Sequence, residues 1–478
     1  MNPKVSSNAI DILSLDATSI ASLIKNGRLT SVEITRTYID HIKKINPKIN
    51  ALVEERFDEA MAEAEEKDAL LKHSHKIGPL HGVPISVKES FHVENMKTTG
   101  GLEHRQDLIS RENADVITRL KEAGAVILGK TNTPALCFCQ ETDNKLYGRT
   151  NNPWDLDKTA GGSSGGEGAL LASGGAAVGI GSDIGGSIRI PSHFNGVVGF
   201  KPGMHQVSAL GHFPPITIPL QERMLAMGPM GKSVRDMELL YDIIADKSPS
   251  WHSLNQFKID ILPVSINYPL GEETKIILNS MEKFISTSYS TRRSVPPYFE
   301  DSALLWQEIM SMYGSKIIED EAFNNDRSNV LSSFFKEKLT QRTKVHPYLS
   351  WAIIGAKLFK PSKARIREIE TFLKEGDKKV DEYLANRILI FPVYHTVALN
   401  HGKVFKEIFS IRKTFLDYMP YVAYANVWGL PSLIIPVGTD ENGMPIAVQL
   451  MSCNGNESAL FQLGRLVEKK YRGYIRCK

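Results

Sequence analysis

The chain has 478 residues, of which 42% are hydrophobic and 23% charged, and its net charge is only +3. It carries no basic stripe of the kind that binds nucleic acid, and its four cysteines are too few and too unevenly spaced for a disulfide framework or a zinc site. Residues 1–4 are followed by no apolar signal segment, and the most apolar stretch, 168–181, is shorter than the ~20 residues that span a bilayer. We therefore expect a cytoplasmic protein that needs neither metal nor disulfide to bury its core.

The amino-terminal part of the chain alternates helix and strand signals. Asp16 is placed to cap a first helix, and a Thr-x-x-Glu capping box at 30–33 opens a second, which Pro47 is expected to end near residue 46. A strand, an amphipathic helix and a buried strand follow, an order that predicts a parallel or mixed sheet with helices on its faces. The predicted elements are helices over 16–27, 30–46, 58–72 and 115–123 and strands over 83–87 and 125–128.

The rest of the chain adds further strands and one long segment without a recognisable motif. Residues 250–385 contain charge clusters and one apolar stretch, 347–360, for which a buried core helix is favoured over an apolar lid or a patch that touches a membrane. No linker is visible, so we expect one large domain. The predicted elements here are strands over 176–181, 388–393 and 433–437 and a helix over 233–244.

Glycine is concentrated in one segment, since 14 of the 36 glycines lie within residues 161–203. A phosphate-binding loop is excluded because no lysine stands where that motif needs one, and a dinucleotide fingerprint is excluded because Ile184 occupies the place of its third glycine. Gly-x-Ser-x-Gly at 162–166 follows a turn-rich segment, 152–158, and not the buried strand that a nucleophile elbow requires. Ser-x-x-Lys at 280–283 lacks the companion motifs of penicillin-binding enzymes and fits a surface helix.

One interpretation of the glycine-rich segment remains. Ser163 lies in the stretch GGSSGGE, Ser187 follows 24 residues later in DIGGSIRIP, and Lys88 ends an apolar strand 75 residues before Ser163. In this order and spacing the three residues resemble the amidase signature family of serine hydrolases, whose triad is Ser–Ser–Lys. Further segments that resemble the family are PLHGVP at 79–84, GKTN at 129–132, NNP at 151–153, GFKP at 199–202 and GLPS at 429–432.

The resemblance, which covers roughly residues 5–245 and 385–470, implies the α/β amidase signature fold. This fold is a large, twisted, mixed central sheet covered by helices on both faces, in a single domain with a variable helical insertion. We expect that domain to span 1–478, with its signature core at about 75–245, its insertion at about 250–385 and its carboxy-terminal part from about residue 385 to 470.

The resemblance also implies a mechanism. A serine hydroxyl needs a neighbouring base to become a nucleophile. By the resemblance, Lys88 deprotonates Ser163, Ser163 takes the proton of the nucleophile Ser187, and Ser163 later returns a proton to the leaving amine. Lysine is a base only when neutral, and neutralising an ordinary lysine at pH 7 costs about 4.6 kcal/mol. The apolar residues beside Lys88 in its strand predict that burial lowers its pKa.

The backbone around the two serines has a further implied role. In this family the peptide bond before the relay serine is cis, and the flanking glycines adopt dihedrals that side chains would forbid. Bare backbone N–H groups beside the nucleophile hold the negative oxygen of the tetrahedral intermediate. The resemblance assigns Ile184, Gly185, Gly186 and Ser187 to this oxyanion hole and gives Ser164, Asp183 and Arg189 supporting roles, Ser164 in orienting the relay and the other two as an ion pair that holds the loop.

The signature residues favour the fatty-acid amide hydrolase branch of the family. The A-type subunits of amidotransferases typically carry Ser, Thr and Gln where this chain has Glu167, Ile184 and Ile190, and the apolar replacements suit a pocket for an acyl chain. Cys137 and Phe138 fall where fatty-acid amide hydrolases line their acyl channel. The implied reaction is hydrolysis of an apolar carboxamide, a fatty-acid amide or similar, to an acid plus an amine or ammonia.

Two alternatives stay open at this point. In the first alternative the chain is an A-type amidotransferase subunit that releases ammonia for a partner, and in the second it is a hydrolase of aryl or indole acetamides. No cofactor, no nucleic-acid partner and no stable membrane anchor are expected, since the transmembrane segment of several fatty-acid amide hydrolases is missing here. Peripheral membrane contact and a homodimer are left open by the resemblance.

Overall fold

The computed structural model describes residues 11–73, 77–247, 250–324, 329–340, 342–409 and 412–478. Residues 1–4, in which the sequence shows no signal segment, lie outside the described residues. No helix within the described ranges is long and apolar enough to cross a membrane.

The centre of the molecule is a mixed β-sheet to which the described residues contribute eleven strands, and two more strands form a separate hairpin. In chain order the strands are β1 (Leu52–Glu55), β2 (Pro84–Lys88), β3 (Val126–Thr131), β4 (Asn151–Asn152), β5 (Asp155–Thr159), β6 (Val178–Asp183), β7 (Val198–Lys201), β8 (Ala226–Gly231), β9 (Lys258–Ile261), β10 (Thr291–Arg293), β11 (Arg387–Pro392), β12 (Ser432–Thr439) and β13 (Pro445–Met451).

The order of the strands across the sheet is β1-β3-β2-β6-β8-β7-β12-β13-β11-β9-β10. β2 is parallel to both of its neighbours, β3 and β6, whereas β6, β8, β7, β12 and β13 alternate in direction. Near the other edge, β11, β9 and β10 are again parallel. The sheet is therefore mixed, as the sequence predicts, and β2 lies in its interior.

Helices cover this sheet. In chain order they are α1 (Ala17–Lys25), α2 (Ser31–Ile49), α3 (Phe57–His73), α4 (Asp115–Glu122), α5 (Gly165–Ala172), α6 (Arg189–Asn195), α7 (Pro219–Glu222), α8 (Val234–Ile244), α9 (Glu272–Ile285), α10 (Ser302–Met310), α11 (Lys316–Ala322), α12 (Val330–Thr340), α13 (Pro347–Leu358), α14 (Lys363–Leu384), α15 (Lys403–Phe409), α16 (Arg412–Tyr418), α17 (Pro420–Val427) and α18 (Glu457–Lys470).

Alternate residues of the central strands belong to two different hydrophobic clusters. In β12, Leu433 and Ile435 pack into one cluster, and Ile434 between them packs into the other. Because successive side chains of a strand point to opposite faces, the two clusters lie on the two faces of the sheet. Each face is therefore buried under helices, which is the α/β architecture that the resemblance implies.

Most predicted elements are confirmed, and α1 and α2 show why. The Asp16 side chain accepts from the Ser19 N–H at the start of α1, and the capping box of Thr30 and Glu33 is complete at the start of α2. The predicted end of α2 is wrong, because the helix continues through Pro47 to Ile49. Proline removes one N–H donor and crowds the carbonyl four residues earlier, but the last turn is held by the buried Ile49 and by the Asn50 N–H, which donates to the Asn46 carbonyl.

The segment 250–385, expected as a helical insertion, contains helices α9 to α14 and also two strands of the central sheet. β9 and β10 extend the sheet beyond β11 as its last two strands. Within the same segment, α13 confirms a helix in the apolar stretch 347–360, with Leu349 and Ile353 buried and Leu358 exposed. Ser280 and Lys283 lie on α9, which confirms that they belong to a helix.

Candidate active site

Lys88 is the last residue of β2 and is completely buried. Every residue of β2 is buried because the strand lies between β3 and β6 and is covered on both faces. The Lys88 Nζ lies 2.7 Å from Ser163 Oγ and 2.9 Å from Ser182 Oγ. The predicted lysine and the predicted relay serine are therefore in direct hydrogen-bond contact.

Burial lowers the pKa of Lys88 below its ordinary value of 10.5, because water no longer solvates the ammonium form. Three neighbours oppose this effect, namely Cys137 first, then Asp183 and Glu167. The net direction is downward, so a larger fraction of Lys88 is neutral than for a lysine in water. A neutral amine has a lone pair, which is what a base requires.

Ser163 lies in the turn that joins β5 to α5, after a cis peptide bond from Gly162. A Cβ at Gly162 would lie 2.6 Å from the Cys139 carbonyl oxygen, so only glycine fits this close approach of two backbones. The segment before this turn, expected to be rich in turns, forms the hairpin of β4 and β5 outside the central sheet. Ser163 thus does not follow a buried central strand.

Ser187 lies in the loop between β6 and α6, and an ion pair inside that loop holds it in place. Asp183 and Arg189 are both fully buried, with 3.0 Å between Arg189 Nη2 and Asp183 Oδ1. The Asp183 carboxylate also accepts from the N–H groups of Gly186 and Ile188. Burial by itself would raise the pKa of Asp183, but Arg189 outweighs it and holds that pKa well below its usual range, so the carboxyl stays ionised.

We expect Asp183→Asn to lower the free energy of unfolding by about 3–5 kcal/mol, because it leaves the Arg189 charge buried without its partner. Urea unfolding measures this. Asp16→Asn is the matched control, since its partner Arg235 is half exposed and asparagine still caps α1. That change should cost less than about 1 kcal/mol, and equal costs for both variants would contradict the prediction.

Some backbone N–H groups near Ser187 have a hydrogen-bond acceptor among the described residues and others do not. No acceptor in the described part of the chain takes the N–H of Ile184, Gly185 or Ser187, whereas Gly186 donates to Asp183 Oδ1 at 2.9 Å. Three of the four N–H groups predicted for the oxyanion hole are therefore available, and that of Gly186 is engaged within the loop.

Two side chains from elsewhere hold the carbonyl groups of this loop. Trp306 Nε1 donates to the Ile184 oxygen at 2.7 Å, and Gln140 Nε2 donates to the Gly185 oxygen at 3.1 Å. In a trans peptide the C=O and the following N–H point in opposite directions. Trp306 therefore turns the Gly185 N–H away from α10.

Ser164 connects the two serine segments through its backbone. Its N–H donates to the Ser187 carbonyl oxygen at 3.1 Å, and its hydroxyl donates to the Ser182 carbonyl oxygen at 3.4 Å. The hydrogen bonds of Ser164 thus join the residue after Ser163 to Ser187 and to the end of β6.

Two cavities meet at Ser187. The larger is an apolar cleft that encloses about 820 Å³, its open mouth included. The smaller is lined by Ser163 and Ser187 together with Ser182 and His212. Cys137 and Phe138, predicted to line a substrate channel, line both cavities. The aromatic and other apolar walls of the larger cleft include Trp306, Met310, Trp351, Phe359, Phe409 and Phe415.

Sequence reasoning missed several residues of this site. Trp306 and Trp351 come from the segment 250–385, which carries no recognisable motif, and His212 lies in a loop between β7 and β8. Gln140 stands directly after Cys139 but belongs to no motif. Only Ser182, next to Asp183 in the nucleophile segment, carries a local signal.

Comparisons with known proteins show the family of this chain. The Amidase family model matches residues 33–461. The chain belongs to the amidase family. It is therefore a hydrolase that acts on amide C–N bonds.

Two relatives of the amidase illustrate the breadth of the family. Fatty-acid amide hydrolase 2-B of Danio rerio is 30% identical over 489 residues, which cover 97% of this chain and 91% of that protein. The A-type subunit of the glutamyl-tRNA(Gln) amidotransferase of Trichodesmium erythraeum (strain IMS101) is also 30% identical, over 488 residues that cover 93% of this chain and 96% of that protein. Overall identity therefore does not separate the two kinds of relative.

A solved structure of fatty acid amide hydrolase superposes on the amidase with a TM-score of 0.80. The two chains are 22% identical, and the match covers 98% of this chain and 86% of that one. At this identity the likeness establishes the shared fold.

Proposed function

We propose that this amidase hydrolyses an apolar carboxamide, a fatty-acid amide or similar, to an acid plus an amine or ammonia. The nucleophile is Ser187, the relay is Ser163 and the base is Lys88. The observation that supports this most strongly is the buried contact of 2.7 Å between Lys88 Nζ and Ser163 Oγ, beside a serine that opens onto an apolar cleft.

This contact supports the first step of the proposed proton path, and the resemblance implies the steps that follow it. Neutral Lys88 takes the proton of Ser163, Ser163 takes the proton of Ser187, and the Ser187 oxygen attacks the amide carbon to form a tetrahedral intermediate. The intermediate expels the amine, which receives a proton from Ser163 because an amine does not leave as an anion, and Lys88 then returns its proton to Ser163 and is neutral again. Water then attacks the acyl-enzyme by the same path, which releases the acid and restores Ser187.

The negative oxygen of the intermediate needs hydrogen-bond donors that are already in position. The free N–H groups of Ile184, Gly185 and Ser187 are such donors. Gly186, also assigned to the oxyanion hole by the resemblance, contributes through its backbone shape, because its N–H belongs to Asp183. Asp183 and Arg189 therefore support catalysis by holding the loop.

We expect Trp306→Phe to lower kcat about tenfold with little change in KM, because phenylalanine keeps the wall of the cleft but cannot hold the Ile184 carbonyl, so the adjacent oxyanion donor is less well oriented. Steady-state hydrolysis of the preferred amide measures this. Trp351→Phe is the matched control, since Trp351 lines the same cleft but donates to the Phe409 carbonyl. It should change KM and leave kcat within about twofold; the same loss of kcat in both variants would contradict the assignment.

The two cavities support a proposal for where each half of the substrate binds. Ser163 returns its proton to the amine, and Ser163 lines the smaller cavity, so the amine lies there. The acyl group then occupies the larger cleft, whose aromatic and apolar walls suit a hydrocarbon chain. Cys137 and Phe138 lie at the junction of the two cavities and contact the carbons next to the amide.

The alternative of an amidotransferase subunit rests on a relative with equal identity. Such a subunit would bind glutamine, a polar substrate whose ends need charged or hydrogen-bonding partners. Gln140, Gln307 and Arg412 also line the cleft, but most of its wall is aromatic or aliphatic and favours an apolar acyl group. Isolation of the chain with a stoichiometric partner, and no amide hydrolysis without it, would support the alternative and overturn our proposal.

A fluorophosphonate probe tests the proposed function directly. We expect one adduct, on Ser187, and its absence after Ser187→Ala. A series of primary amides, ethanolamides and anilides of increasing acyl length should then show kcat/KM rising with chain length until the cleft is filled. Labelling at another residue, or a preference for short polar amides, would overturn the proposal.

A further inference from the structure

His212 extends the hydrogen-bond chain of the site beyond the three triad residues. It is buried in the loop between β7 and β8, and its ring packs edge-on against Phe91 with 5.2 Å between centroids. Its Nε2 lies 3.0 Å from Ser182 Oγ, the same oxygen that lies 2.9 Å from Lys88 Nζ. His212, Ser182, Lys88 and Ser163 therefore form one continuous chain.

The number of protons in this chain allows two arrangements. A neutral lysine has two N–H donors and one lone pair, and a serine hydroxyl has one proton to donate. In the competent arrangement, Lys88 donates to Ser182 and its lone pair faces the Ser163 hydroxyl. In the inverted arrangement, Ser182 donates to the lone pair, Lys88 donates to Ser163, and no base is available.

His212 decides between these arrangements. In the described part of the chain, Ser182 Oγ has two hydrogen-bond partners, Lys88 Nζ and His212 Nε2. If Nε2 accepts the Ser182 proton, that proton cannot occupy the lone pair of Lys88. The lone pair is then left for Ser163.

The His212 ring is neutral at neutral pH, so one of its two nitrogens carries no proton. Burial is the main cause: together with Lys88 and, more weakly, His92, and against the effect of the Pro214 carbonyl, it lowers the pKa of His212 to about 3. Nδ1 makes no hydrogen bond among the described residues, so no partner at Nδ1 fixes the tautomer. A base at Lys88 requires that Nε2 be the nitrogen without a proton, because an Nε2–H that donates to Ser182 would leave the Ser182 proton directed at the lone pair of Lys88.

We propose that His212 is a positioning residue for the base. Its Nε2 accepts the hydrogen bond of the Ser182 hydroxyl and so leaves the lone pair of Lys88 directed towards Ser163. This inference rests on the proposed function, because it requires Lys88 to act as the base. The other ionisable groups that act on Lys88 are Cys137, Asp183 and Glu167, and none of them hydrogen-bonds to the Ser182 hydroxyl among the described residues.

The test uses the rate of fluorophosphonate labelling of Ser187 against pH, which requires no knowledge of the natural amide. His212→Leu should lower the plateau rate about tenfold, since without an acceptor the Ser182 proton moves to the lone pair. The midpoint of the pH profile should also move to lower pH, because the hydrogen bond from the Ser182 hydroxyl to the lone pair of Lys88 stabilises neutral Lys88. His212→Gln, whose amide oxygen still accepts, should stay within about threefold of the original rate.

A double variant separates positioning from packing. Ser182→Ala removes the competing hydroxyl, so Ser182→Ala with His212→Leu should label at least threefold faster than His212→Leu alone. A residue that only packs gives no such recovery, since removal of the Ser182 hydroxyl restores none of the packing that is lost with the ring. His212→Phe, which keeps a ring against Phe91, serves as a second variant with the same expected loss and the same recovery.

The Lys88→Ala variant distinguishes a failure of the proposed function from a failure of the role of His212. If Lys88→Ala leaves the labelling profile unchanged, the proposed function itself fails. If Lys88→Ala suppresses labelling but the double variant shows no recovery and the midpoint does not move, the role of His212 fails and the proposed function stands.

Discussion

Ser187→Ala should abolish amide hydrolysis at every pH, with a loss of kcat on the order of 10⁶-fold, because no hydroxyl remains to form the acyl-enzyme. The residual rate should come only from substrate binding and the oxyanion donors. Hydrolysis of the preferred amide, followed from pH 6 to about pH 10 with a stopped assay that detects the acid, measures this loss.

Ser192→Ala is the matched control for this variant. Ser192 is also a buried serine, on α6 shortly after the loop that carries Ser187, and its hydroxyl donates to the Ile188 carbonyl at 2.8 Å. It lines neither cavity at Ser187, so its loss should leave kcat within a few-fold. A Ser187→Ala enzyme that retains a substantial rate, or equal losses for the two variants, would remove Ser187 from the role of nucleophile.

Lys88→Ala should lower kcat/KM at pH 7 by about 10³–10⁴-fold, as expected for the loss of a general base. The loss should shrink as the pH rises, because hydroxide then takes the proton of Ser163 in place of the amine. The original enzyme should gain activity with rising pH until Lys88 is neutral, and burial lowers its pKa, so this rise ends below the ordinary pKa of lysine.

Lys130→Ala is the control for the removal of a buried lysine. Lys130 lies on β3, next to β2, is fully buried, and burial lowers its pKa as it does that of Lys88. Its amine donates to Thr98 and to the Lys97 carbonyl and reaches neither serine. This variant should lose stability, with an unchanged shape of the pH profile. A loss for Lys88→Ala that is equal at every pH would contradict the role of a base.

Local sequence signals predict much of the secondary structure, and the motifs predict Lys88, Ser163 and Ser187 as the central residues of the site. The capping residues of α1 and α2 are readable because each depends on near neighbours in the chain. The glycines around Ser163 are readable as a motif, but the segments that they approach, such as the Cys139 carbonyl at Gly162, are not. The predicted end of α2 at Pro47 is wrong, since the burial of Ile49 and the hydrogen bond from Asn50 to Asn46 outweigh the local cost of the proline.

The partners of the nucleophile loop are not readable in this way. Trp306 and Gln140 reach the loop across 122 and 45 residues of chain, and His212 reaches Ser182 across 30. None of these contacts leaves a pattern in the sequence near either partner, because a hydrogen bond between distant segments depends on how those segments pack in the fold. The hydrogen bond from the Gly186 N–H to Asp183 likewise depends on the conformation of the loop.

By itself, the sequence determined the family, the order of Lys88, Ser163 and Ser187, and the α/β character of the chain, because these depend on residue identity, spacing and periodicity. Only the tertiary structure decided which N–H groups of the described residues near Ser187 lack an acceptor, which side chains hold the oxyanion loop, and that a larger apolar cleft and a smaller cavity meet at Ser187. The physical reason is that burial, proton direction and cavity shape arise where β2, β6 and the segment 250–385 pack together, and no one of these segments contains that information alone.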